Sequence, residues 1–225
     1  AGDHRRQLNN LASPLQALRD VFDLMPTDTA EQWANIAGRL GAIPAALDGY
    51  VETLREGIAT RNTPAIRQVE LGIAEATGLA DAEASFFTAF AAGARPDGSA
   101  PDGGLADDLA RGAASAREAY GRLAAFLRDE LAPAARPEDA AGREFYQRMS
   151  RQFIGATIDL DETYEWGVEE LARVTAEQEA LARDIAGPGA SVADAVAALD
   201  GDPARQLHGT EALKAWMQET SDAAI

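Results

Sequence analysis

The segment Gly155–Val174, GATIDLDETYEWGVEELARV, concentrates the groups most able to do chemistry: six carboxylates, Tyr164 and Trp166. Glu162, Glu165 and Glu169 recur at spacings of three and four, which puts them along one edge of a helix. Di-iron carboxylate bundles add a Glu-x-x-His pair to such glutamates. That pair is absent here, and the only histidines are His4 and His208. A carboxylate-only set suits a hard cation such as magnesium, but a solvated acidic face, with Arg173 as the i,i+4 partner of Glu169, is the favoured reading. His208, in QLHGTEAL, has the chemistry of a general base or a metal ligand. With no second histidine near it, it reads first as a turn residue ahead of a Thr210 helix cap. No G-x-S-x-G, G-x-G-x-x-G or P-loop occurs, and Ser13 and Ser191 read as helix caps. No catalytic or metal-binding residue is therefore expected. The candidates for a cleft or interface are Trp166, Glu162, Glu165, Glu169, Arg173 and His208.

A helix must position these groups. At 100° per residue, Val168, Leu171, Thr175 and Ala182 fall within about 40° of Tyr164, so that face is expected to be core. Trp166 lies about 200° from Tyr164, among Glu162, Glu165, Glu169, Glu170 and Arg173. A tryptophan carries a large apolar area. On a charged face it is expected to be covered by another helix, by a further domain or by a ligand.

The rest of the chain is helical in its periodicity. Ser13-Pro14 is a capped start, followed by a face of Leu15, Leu18, Val21, Phe22 and Met25. Thr29 caps the next helix, with Trp33, Ile36, Ala37 and Leu40 inward. Gly41 and Pro44 are expected to punctuate it before Leu47, Tyr50, Val51, Leu54 and Ile58. Thr63-Pro64 repeats the capped start. Phe86, Phe87 and Phe90 form an aromatic cluster. Residues 93–104, GARPDGSAPDGG, are loop. Leu105, Leu109, Ala113, Ala116, Tyr120, Leu123 and Leu127 then form one stripe, ended by Pro133 and Pro137. Helices are expected over 138–153, about 161–186 and from Ser191 to about Leu199, with 154–160 as an extended connector. Thr210 caps a last helix, with Leu213, Trp216 and Met217 inward. The expected fold is mainly α, an antiparallel bundle-like array of about eight to ten helices without a substantial sheet. Its organisation is read as an N-terminal helical half (1–92), the 93–104 loop and a C-terminal helical half (105–225), together one helical domain of a larger protein. The last helix carries no stop signal before Ile225, and the chain opens on Ala1 rather than Met, so truncation at both ends is expected.

Composition narrows the partners. The 225 residues include 50 alanines, which favour helix but add little apolar area. The core is therefore expected to be thin, with helices in close approach. A net charge of −17 argues against nucleic acid and against anionic membrane surfaces. Basic residues are 19 Arg and one Lys, as in a GC-rich genome. The absence of Cys removes disulfides, thiolate nucleophiles and iron–sulfur clusters. The cytoplasm is the slightly favoured compartment.

Three stretches carry a resemblance: NNLASPLQALRDVFDLMPTDTAEQWANIAGRLGAIPAALDGYVETL (9–54), GATIDLDETYEWGVEELARV (155–174) and VADAVAALDGDPARQLHGTEALKAWMQETSDAAI (192–225). Together they resemble the bacterial family known as domain of unknown function 885. The resemblance implies a relation to zinc metallopeptidases of the gluzincin type, whose metal motif, a His-Glu pair followed by Gly-His-His, lies C-terminal to the region matched here. No metal or catalytic residue is carried onto this sequence. What the resemblance implies is a helical, catalytically silent part of a zinc-dependent peptidase or hydrolase, forming a cleft wall or packing on the core. Its partners would be the rest of its own polypeptide and a peptide substrate, with zinc held elsewhere in the intact protein. The alternative is a self-contained acidic helical module that docks a partner through the face around Trp166.

Overall fold

The computed structural model describes residues 3–224; Ala1 and Ile225, on which the expectation about the chain ends rests, lie outside the described residues. The fold is an all-α array, as the periodicity predicts. Among the described residues there is no sheet, and the one isolated bridge joins Ala65 to Arg136. The chain divides into two compact units, one reaching Ala141 and one starting at Gly142.

The first unit contains α1 (Pro14–Asp20), α2 (Ala30–Ala59), α3 (Ile66–Ala80), α4 (Phe86–Ala92) and α5 (Gly103–Phe126). A π-helical turn, Leu127–Leu131, continues α5 into the short α6 (Ala132–Ala134). The central pair is α2 on α5, and α3 and α4 also lie against α5. The predicted stripe is the buried face of α5 and the turn after it: Leu109, Ala113, Ala116, Tyr120, Leu123 and Leu127 are enclosed, and Leu105, at its start, is only partly buried. Small residues let the backbones approach, and large ones from α2 (Ile36, Leu40, Leu47, Leu54) fill the space between. Phe86, Phe87 and Phe90 form the predicted aromatic cluster, and Phe22, which the pattern places only on the face of the first helix, joins it. Phe90 meets Trp33 with ring centroids 5.2 Å apart, and Phe87 meets Tyr120 at 5.4 Å.

Two local expectations fail for a tertiary reason. Gly41 and Pro44 do not interrupt α2, which is one helix of 30 residues capped by Thr29, whose side chain accepts from Gln32 N. Pro44 removes the hydrogen bond to the Leu40 carbonyl and costs roughly 3 kcal/mol. The buried residues on both sides of it, Ile36, Leu40, Ile43, Leu47, Tyr50 and Leu54, outweigh that loss. Thr63-Pro64 is not a helix cap. This segment runs beside Arg136: Ile66 N donates to the Arg136 carbonyl (2.8 Å), and Thr63 Oγ1 donates to the Ala134 carbonyl (3.3 Å). Helix α3 therefore starts at Ile66, after an extended Ala65.

The second unit contains α7 (Arg143–Ile154), α8 (Leu160–Ala186), α9 (Val192–Asp200) and α10 (Thr210–Ala224). Helix α7 begins five residues later than its pattern suggests, because Gly142 (φ 88°) leaves helical geometry just before it. Gly155, in the left-handed region at φ 80°, ends it. Ser191 caps α9 in a box with Asp194, as expected. Helix α10 starts at Thr210 itself, so Thr210 lies inside the helix rather than capping it.

Candidate functional site

Helix α8 carries the candidates. Asp159 caps it, accepting from Asp161 N (2.9 Å) and Glu162 N (3.2 Å). Asp161 takes a bidentate pair of hydrogen bonds from Arg143 of α7, at 2.8 and 2.7 Å. Those bonds hold the Asp161 carboxyl below the usual carboxylate range. Gln147 of α7 donates to the Ile158 carbonyl at 2.9 Å. These contacts fasten the start of α8 to α7, but they are polar, and the Arg143–Asp161 pair is exposed.

The face expected to be core is open. Tyr164, Val168 and Leu171 are 70%, 48% and 68% exposed. The helical period placed them on one face correctly. Burial fails because α9 packs only on the C-terminal part of α8, where Ala182 of α8 and Ala195 of α9 are buried. An apolar stripe is left uncovered along the first turns of α8. Trp166 is 63% exposed on the opposite face. Both large aromatics of this helix therefore meet solvent among the described residues, in opposite directions.

Glu162, Glu165 and Glu169 lie exposed along α8 as the spacing predicts, but Arg173 does not pair with Glu169. It binds Glu170 in a fork (2.8 and 2.6 Å) and Glu177 (2.6 Å). Glu170 and Glu177 are seven residues apart and stand nearly above one another on the helix, so one guanidinium between them serves both. Glu169 lies on the other side of Arg173. The Arg173 hydrogen bonds hold the Glu170 carboxyl below its ordinary range. His208 lies exposed between the 3-10 turn Pro203–Arg205 and α10, beside Gly209. Among the described residues no three His, Asp or Glu side chains come together in a metal-holding arrangement. This helix offers a surface with an apolar face and an acidic face.

A second feature lies in the first unit and has no motif. A groove of about 1330 Å³ runs between α1 and the first half of α2. Its α1 wall is held by Gln16, whose Oε1 accepts from Ser13 N (2.9 Å) and Ser13 Oγ (2.6 Å). Gln16 Nε2 donates to the Asn9 carbonyl (3.1 Å) and to Glu75 of α3 (2.6 Å). Nearby, Tyr50 Oη is buried without a well-formed hydrogen bond. Burial pushes its pKa up to about 12, and the Ser13 hydroxyl opposes that rise only in part. The groove went unread in the sequence because its α2 side, Gln32, Asn35, Arg39, Ala42 and Ala46, looks like an ordinary solvent face. The spacing of three and four was visible; the wall opposite it was not.

No helix among the described residues is long and apolar enough to cross a membrane. No curated protein matches the chain. Over residues 1–225 the chain matches the family described as bacterial protein of unknown function (DUF885), and it belongs to that family.

Proposed function

We propose that this chain is a helical, catalytically silent part of a zinc-dependent peptidase or related hydrolase, packing beside the catalytic core and forming part of the wall of its substrate cleft. The observation that supports this reading is the stripe Tyr164, Val168 and Leu171, exposed on a well-formed helix of 27 residues. Covering a side chain of this size is worth about 1.5–3 kcal/mol, so a surface with three of them in a row is suited to being covered. In this reading the rest of the polypeptide covers it, and zinc is held outside residues 1–225. Zinc there would polarise a carbonyl and activate water. The residues of this chain would contribute wall and positioning only.

The test has two arms. Coding sequence downstream of Ile225 is read for a His-Glu pair followed by Gly-His-His, and zinc is measured on the 225-residue chain and on any longer product. The expected result is the motif, with stoichiometric zinc only in the longer protein. A stop codon at once after Ile225, or one tight zinc in the 225-residue chain, rejects this reading. A stop codon would favour the second reading, an acidic interaction module. Its supporting observation is Trp166, exposed beside Glu162, Glu165 and Glu169.

A further inference from the structure

We draw no further inference here: the strongest candidate, the exposed apolar patch of Leu213, Trp216 and Met217 on α10, carries no proposal because nothing in the structure shows what covers it.

Discussion

Gly112 of α5 lies against Leu40 of α2 so closely that a Cβ at position 112 would stand 2.8 Å from Leu40 Cβ and 3.3 Å from the Ala37 carbonyl oxygen. A real Cβ does not approach that near, and neither neighbour is the free end of a flexible chain. The central helix pair is built on this contact.

Gly112→Ala is expected to destabilise the chain by about 1–3 kcal/mol, because overpacking exceeds the roughly 1 kcal/mol gained in helix propensity. Gly121→Ala, on the same helix, would place its Cβ 3.7 Å from Ala80 Cβ, an ordinary contact. It is expected to be neutral or stabilising by up to about 1 kcal/mol. Urea denaturation of both variants checks the contrast.

Two buried tyrosines should respond oppositely to loss of the hydroxyl. Tyr120 Oη donates to the Leu15 carbonyl at 2.8 Å and ties α5 to α1. Tyr120→Phe is expected to cost about 1–2 kcal/mol. Tyr50 Oη is buried without a proper partner, so Tyr50→Phe should be neutral or stabilising by up to about 1 kcal/mol. Thermal melts of the pair decide it.

Arg55 of α2 grips Glu130 in the π-helical turn through two hydrogen bonds, at 2.9 and 2.7 Å. That contact holds the Glu130 carboxyl below its ordinary range. A folded pKa below the unfolded one means that the unfolded chain takes up the proton first. The contribution is then fully present above the unfolded value of roughly 4.3 and is lost as pH falls through the folded pKa. Glu130→Gln should lower Tm slightly at pH 7 and make no difference well below pH 4. Both groups are exposed, so the effect should shrink in high salt.

Leu171→Glu in the 225-residue chain should change stability by no more than about 0.5 kcal/mol, as for an uncovered surface position. Ala182→Leu, at the crossing of α8 with α9, should cost about 1–3 kcal/mol by overpacking and speed amide exchange in α9. If Leu171→Glu proves as damaging as Ala182→Leu, the face is covered after all.

Releasing Arg143 from Asp161 should loosen the start of α8 without unfolding it. Arg143→Gln is expected to raise amide exchange in the first turns of α8 and leave the Ala182 region unchanged.

Most of the helices were legible from local rules. Thr29, and Ser191 with Asp194, marked helix starts, because a cap is chemistry between residues three apart; the structure adds Gln32 as the partner of Thr29. The stripe from Leu105 to Leu127 announced the buried face of α5, with only Leu105 left partly open, because a regular helix repeats its face every 3.6 residues. Phe86, Phe87 and Phe90 were likewise readable as a cluster. The groove was not: its floor is made by α1 and α2 together, and neither segment carries a motif.

What the sequence by itself determined was which residues share a helix face, since that follows from backbone geometry within the segment. Only the tertiary structure decided which faces are covered. Tyr164, Val168 and Leu171 have the same pattern as the stripe of α5, yet one face is enclosed and the other open. Pro44 is tolerated because α5 lies against its helix. Thr63-Pro64 is extended because Arg136, seventy residues away, supplies its hydrogen bonds. Arg173 chose Glu170 and Glu177 over Glu169 through side-chain geometry that spacing alone leaves open. Burial is a relation between distant segments, and no residue encodes it alone.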